Sequence, residues 1–435
     1  MPSTSVAPTA PSTLPQTGQG GATPSLPTAT VPPNDQTPAT VLPFGETGSN
    51  PGGACAGIVV EEKFVPLCPQ GNCSGPRVGD PGSVFAPELA SADYPFSLET
   101  TSGGNCDEPE GWARAGVEGG IPELGAASMT AGPGDDLQAA LNSLAQPVAT
   151  TPRILLLRNG CYELGSVPEG DALLTVPTGV VLRGESRDGV VLSFNVADGT
   201  GKSSIRVNGG AGLENLTVTN AFVLRQPEEA YVGRLESGDK SFSGNYPDLP
   251  GKLAGVALSG KNAWMQHTHI YKTGTNPVST WGCNHCTLRD NIVEKSYNKG
   301  VDGNGYYYIG ATTNSLFYHE SVSDIRHFAF NTLGSKNCNN VILSLYTEVD
   351  INYHSDQIAR TLVENVVSNV PASHYWGREE AFGFNGKGMN SSNLHYKINK
   401  FPDLQVYRFT SDGQKHPLDV PPPASGTLYP VSGWR

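Results

Sequence analysis

Positive charge is scarce in this sequence. Lys and Arg number 28 against 41 Asp and Glu, giving a net charge of -13 and a pI near 5.1. A chain so acidic does not bind nucleic acid through its overall field, and an anionic polymer would need a local basic groove. Long apolar runs are also missing. No stretch approaches the roughly 20 residues that a membrane-spanning helix requires, and no signal peptide is visible at the N terminus. Histidine is absent until His267, after which all nine occur. Two-residue hairpin turns of the Asn-Gly kind are few, which argues against a sandwich or a propeller.

What is plentiful is turn-forming residues, 52 Gly and 35 Pro in 435 residues. Eight cysteines, an even number, fit full pairing in an oxidising compartment, so export to the outside or the cell surface is expected. Four cluster early, at Cys55, Cys68, Cys73 and Cys106, where disulfides would hold a segment with little core. Cys283-Asn284-His285-Cys286 looks like half of a zinc site, but the second half is missing. A disulfide is the expected state there.

The chain divides by composition. Residues 1–50 are Ser, Thr, Pro, Gly, Ala and Gln with almost no aromatic or charged residue, and read as a disordered linker. Residues 51–134 hold the early cysteines in an irregular segment. A helical period then appears: Leu137, Ala140, Leu141 and Leu144 share one face, Asp135 is placed to cap, and Pro147 ends the run. From residue 152 to about 370 the helical period gives way to short apolar strands separated by Gly, Pro, Asn or Asp. The tail from 376 to 435 keeps aromatic residues but loses the repeat, and is expected to be an irregular C-terminal cap.

The strands repeat at a longer interval. The segments Gly212–Val218, Trp264–Ile270, Thr287–Val293, Leu316–Val322, Val341–Thr347 and Thr361–Val367 have similar patterns, and the last five begin 20 to 29 residues apart. A solenoid explains this spacing. Each coil contributes short strands, apolar residues line a continuous core, and neighbouring coils satisfy the strand edges. The reading is all-β: a right-handed parallel β-helix over residues 135–375, opened by the capping helix.

The run from Asp135 to Phe194 resembles the opening of pectate-lyase-like proteins, in which an amphipathic helix caps the first coil. "NGCYEL" (Asn159 to Leu164) and "LTVPTGVVLRGESRDGVVL" (Leu174 to Leu192) carry the likeness. "GYYYIGATTNSLFYHESVSDIRHFAF" (Gly305 to Phe330) and "DINYHSDQIARTLVEN" (Asp350 to Asn365) resemble uncharacterised exported β-helix proteins. The resemblance implies the parallel β-helix and a polysaccharide substrate. It leaves the reaction open, because the superfamily holds lyases, hydrolases, esterases, epimerases and adhesins. The hydrolases of this fold carry Asn-x-Asp, Asp-Asp and Gly-His-Gly. Here Asp135-Asp136 opens the helix and Gly-His-Gly is absent, and no Gly-x-Ser-x-Gly marks a serine hydrolase.

Chemistry is expected late in the repeat. From 251 to 370 nine Lys and Arg balance nine Asp and Glu, so this stretch is neutral within an acidic protein. Seven histidines fall between His267 and His374. Taken singly each is an ordinary turn residue; on successive coils they could line one face. Asp324-Ile325-Arg326-His327 is the sharpest cluster. Breaking a uronic-acid chain by elimination requires neutralising the sugar carboxylate, removing the α-proton, and protonating the leaving oxygen. Arg326 suits the first task and His327 the second, with Tyr307, Tyr308 or Tyr318 for the third.

Lys295 and Lys299 flank Tyr297, and His354 continues the strand of Asp350 and Asn352. The offsets of Lys295, Arg326 and Asp350 from their strands predict one row on the solvent face, in a cleft with His354 and Lys295 or Lys299. Lys295, Lys299 and His354 join Arg326 and His327 as the catalytic candidates. Tyr307, Tyr318, His319, Asp350, Asn352 and Arg360 are the candidate substrate-binding residues. The ordinary alternatives are surface ion pairs for Arg326 and a polar ladder for the Asp350 group. No metal site is assigned. Asp350, Asn352 and their neighbours offer Ca²⁺ too few oxygens for its usual six to eight, although the ion is admitted as a possible ligand.

The expected function is an exported polysaccharide lyase acting on an acidic polymer. It would be a monomer, with no nucleic-acid partner and no membrane span. The alternatives are a non-catalytic glycan-binding or surface protein, a glycoside hydrolase, and a uronan epimerase on the same fold.

Overall fold

The computed structural model describes residues 115–145, 151–165, 172–196, 202–221, 253–273, 275–296, 305–331, 337–353 and 358–368. It also describes the backbone of strands Leu394–Lys400, Asp403–Phe409 and Lys415–Pro417. The 1–50 linker, the early cysteines, Lys299, His354 and His374 lie outside the described residues.

The strands are stacked in parallel, coil upon coil. Gly212 pairs with Trp264, Trp264 with Thr287, Thr287 with Leu316, and Leu316 with Val341. These are the first residues of five segments picked out by the repeat. The sixth segment is shifted by one, since Val341 pairs with Leu362 and not Thr361. Each segment is two short strands with a corner between them. Asn215, His267, Asp290, His319 and Ser344 occupy that corner, with φ of 54°, 52°, 58°, 56° and 57°. A left-handed residue there turns the chain without adding length, and Asn, Asp and His are the side chains that best tolerate it.

A second sheet of seven strands forms another wall. Its order is Ile351–Tyr353, His327–Asn331, Tyr306–Gly310, Val278–Ser279, Leu253–Leu258, Lys202–Val207 and Ala172–Val176. Short pairings such as Gly260–Lys261 with Cys283–Asn284 complete the circuit. At the end of the long sheet, Leu394–Lys400 adds in parallel to Leu362–Ser368, and Asp403–Phe409 then returns antiparallel.

The core follows from alternation. Ile205, Val256, Val278, Tyr307, Phe328 and Ile351 stack inward from the second sheet. Leu182, Leu213, Met265, Leu288, Phe317, Ile342 and Val363 stack inward from the long sheet, all without exposed surface. Full burial of each such side chain is worth about 1.5–3 kcal/mol. The helix Leu137–Leu144 adds Leu137, Leu141 and Leu144 to this core beside Leu155 and Leu174. Its N-cap is Asp136, one residue later than the sequence pattern places it. Asp136 accepts from Ala139 N at 2.9 Å, while Asp135 accepts from Gly132 N at 2.7 Å.

Outside the long sheet, Val117 and Ile121 pack on Ile154, Val181 and Trp264. Val117 N donates to Thr287 Oγ1 and Gly116 N to Asn314 O, both at 2.8 Å, so this segment lies along several coils. Cys283 and Cys286 form a disulfide, which removes the half-zinc alternative. Among the described residues no helix is long and apolar enough to cross a membrane.

Candidate active site

The second sheet carries the site on its outward side. Tyr307, Phe328 and Ile351 point inward, so alternation sends Tyr306, His327 and Asp350 outward, with Tyr308, Ala329 and Asn352 beyond them. Phe328 pairs with Ile351, which sets His327 on one coil against Asp350 on the next. The contact is short: His327 Nδ1 lies 2.6 Å from Asp350 Oδ1. A carboxylate can only accept, so Nδ1 carries the proton, and in the neutral ring the lone pair is on Nε2. The Arg326 guanidinium lies over the Tyr306 ring, 5.4 Å from its centroid, and the His327 ring meets the same tyrosine edge-on at 5.0 Å.

Three predicted residues therefore converge, Arg326, His327 and Asp350, while Asn352 lies two residues beyond Asp350 beside Ala329. The expected solvent-facing position needs correction. Arg326 is 8% exposed, His327 6%, Asn352 5% and Asp350 0%. The cation packs on Tyr306 and the imidazole bonds across the coil to Asp350, and both are buried.

The single row of Lys295, Arg326 and Asp350 is also corrected. Glu294 pairs with Ser323, so Lys295 stands level with Asp324, at the corner that leads out of the long sheet. Lys272, Lys295 and Asp324 share left-handed backbone there, with φ of 57°, 65° and 47°. Arg326 comes after that corner. Tyr307 leaves the substrate-binding set altogether, since it is fully buried and donates to Glu320 Oε2 at 2.9 Å. Tyr318 and His319 sit on the long sheet and its corner, where His319 Nδ1 is 2.6 Å from Asp290 Oδ1. Arg360 occupies a third corner, stacked in the series Asn262, His285, Asn314 and Asn339, and partial burial lowers its pKa.

Two other hydrogen-bonded imidazole–carboxylate pairs are found among the described residues. His319 with Asp290 is the more exposed, and Arg289 Nε also bonds Asp290 at 2.9 Å. Those partners hold the Asp290 carboxyl below its ordinary range against the opposing pull of burial. His269 Nε2 lies 3.1 Å from Glu294 Oε1, with the ring fully buried. His269 meets the Tyr271 ring at 5.4 Å and His319 the Tyr318 ring at 5.8 Å. The His327 pair stands beside an aromatic row. Tyr306 stacks with Tyr308 at 6.4 Å, and Tyr308 with Trp281 at 6.1 Å.

The all-parallel register from coil to coil decides the architecture. This chain is a parallel β-helix. No family model matches the sequence, and no curated protein does. Similar solved structures include a pectin methylesterase from Erwinia chrysanthemi, with 14% identity and a TM-score of 0.30 over 68% of this chain and 86% of that one. The Aspergillus niger pectin methylesterase gives 12% and 0.34 over 64% and 87%. The mannuronan C-5 epimerase A-module of Azotobacter vinelandii gives 16% and 0.35 over 53% and 62%. The likeness is one of architecture.

The β-helix brings together a base held by a carboxylate, a cation and several phenols. Burial beside Tyr306 pushes the Tyr308 hydroxyl up to about 12, so it remains a proton donor across neutral pH. Among the described residues no group of three His, Cys, Asp or Glu could hold a metal ion, and Asp350 Oδ1 is engaged by His327. Sequence reasoning missed Tyr306 and Trp281. The available signal was Trp281-Gly282 and Gly310, one coil apart.

Proposed function

We propose that this β-helix is an exported polysaccharide lyase that cleaves a uronic-acid polymer by β-elimination. One observation supports the reading: His327, held by Asp350 on the outward side of the second sheet, meets the same Tyr306 ring that the Arg326 guanidinium lies over. In the proposed reaction Arg326 pairs with the sugar carboxylate, which acidifies the α-proton. His327 Nε2 removes that proton. The electron pair forms the new carbon–carbon double bond, and the glycosidic C–O bond on the β-carbon breaks. The leaving oxygen takes a proton from a phenol, for which Tyr308 is in the right ionisation state. Burial of Arg326 and His327 strengthens the charge pairing, because attraction rises as water is excluded. The Cys283–Cys286 disulfide supports an exported location.

Incubation with acidic and neutral polysaccharides tests this. Elimination yields an unsaturated product that absorbs in the ultraviolet. Epimerisation changes the sugar without shortening the chain, hydrolysis yields reducing ends without that absorbance, and retention without turnover leaves a glycan-binding protein. Arg326→Ala and His327→Ala should each lower turnover by roughly 10²-fold or more, the scale of a lost acid–base group. Full activity in both removes them from the mechanism.

A further inference from the structure

We infer that Trp281 and Tyr308 form a sugar-stacking subsite that holds the polymer alongside Arg326 and His327. This deepens the lyase reading and rests on it. The starting point is an anomaly of exposure. Among the described residues only Met129 and Trp281 are large apolar side chains left open, and Trp281 is 43% exposed. A tryptophan so placed forgoes much of the burial that usually justifies its size.

Its ring is nevertheless held in place. It stacks on Tyr308 with the planes 28° apart, and Tyr308 stacks on Tyr306 with the planes 11° apart. Space is reserved for this arrangement at Gly310. Ser279 pairs with Tyr308, so Gly310 is the strand neighbour of Trp281, and Gly282 N donates to Gly310 O. A Cβ on Gly310 would stand 2.6 Å from Trp281 Cε3 and would also collide with the Tyr308 ring. Glycine there lets the indole lie across the strand.

The result is a row of near-parallel rings, with the indole at its exposed end and Arg326 and His327 at the other. Tyr306, its inner member, contacts both Arg326 and His327. Pyranose rings present apolar C–H faces with polar rims. An aromatic row suits those faces, and a cation at its end suits a carboxylate on the rim. From Tyr306 to Gly310 is four residues of strand, about 13 Å, which is longer than one sugar ring. The subsite therefore serves chains and not the shortest fragments, and it aligns the polymer along the strand direction of the second sheet.

The test uses the full chain with Trp281→Ala and Trp281→Phe. On polygalacturonate or polymannuronate, whichever is cleaved, Trp281→Ala should raise KM about tenfold, the scale of a lost stacking contact together with its buried area. Its kcat should stay within about twofold, and Trp281→Phe should recover most of the loss. On the shortest oligomer cleaved, KM should not change. An unchanged KM on polymer overturns the subsite while leaving the lyase intact. A KM raised equally on short and long substrates shows a structural role and overturns it too. If the wild type cleaves neither polymer, affinity electrophoresis in gels containing each one separates the two ideas. Retardation of the wild type that Trp281→Ala abolishes keeps the subsite and sinks the lyase. Absence of retardation overturns both.

Discussion

Replacing Glu320 by Gln should make this protein more stable at alkaline pH and leave it nearly unchanged in acid. Glu320 is 1% exposed inside the solenoid. Its Oε1 accepts from Asn291 Nδ2 at 2.8 Å, and its Oε2 accepts from the Tyr307 hydroxyl at 2.9 Å. Burial pushes the carboxyl up from 4.5 to about 8, a pull that those hydrogen bonds only partly offset.

Between these values the folded chain keeps a proton that the unfolded chain has released. The stability supplied by the protonated group is complete below about 4.5 and declines as pH rises, until it is lost above about 8. At about 1.36 kcal/mol per pKa unit, the whole interval is worth roughly 5 kcal/mol. Gln is nearly isosteric. Its oxygen can accept from Asn291, its amide can donate to the Tyr307 oxygen, and it does not ionise. Urea unfolding of both proteins from pH 5 to pH 9 measures the effect, since every other titrating group cancels in the difference. The two should lie within about 1 kcal/mol at pH 5, and the variant should lead by several kcal/mol at pH 9. A difference that does not depend on pH would refute the assignment of a buried neutral carboxyl.

Asp350→Asn should lower kcat roughly 10²-fold or more while leaving KM within about twofold, because the amide no longer fixes which ring nitrogen of His327 bears the proton. Steady-state kinetics on the cleaved polymer decides this, and an equal loss in kcat and rise in KM would indicate a general structural role. Gly212→Ala should destabilise the fold by about 1–3 kcal/mol, as read by chemical denaturation. A Cβ there would collide with the buried Trp264 ring, whose Nε1 donates to Glu214 at 2.8 Å.

The repeat was legible because it is written in every coil. Inward apolar residues recur at matching positions, and the pairing of Gly212, Trp264, Thr287, Leu316 and Val341 follows them residue for residue. The site was legible only where neighbouring residues did not need to be told apart. Tyr306, Tyr307 and Tyr308 are consecutive, and a single residue of register decides which two face outward. Composition is silent on that choice. The structure sends Tyr307 inward against Phe317 and Phe328, leaving Tyr306 and Tyr308 outside. Equal counting from the strands misplaced Lys295 for a related reason. The coil that begins at Leu316 reaches its second-sheet partner position at His327, whereas the coil that begins at Val341 reaches it at Asp350.

Stacking also explains why imidazole–carboxylate pairs are so easily made here. Equivalent positions on adjacent coils stand about 4.8 Å apart, so a His on one coil meets an Asp or Glu on the next without any special loop. His269 with Glu294, His319 with Asp290, and His327 with Asp350 are 25, 29 and 23 residues apart in sequence, and each is a contact between neighbouring coils. A pair alone is therefore weak grounds for catalysis in a solenoid. What separates the third is its company. Arg289 bonds the carboxylate within the second pair, so its charge acts on Asp290. Arg326 instead lies over the Tyr306 ring, beside the imidazole it would work with. Cation and base then face the same aromatic row, which continues through Tyr308 to the exposed indole of Trp281.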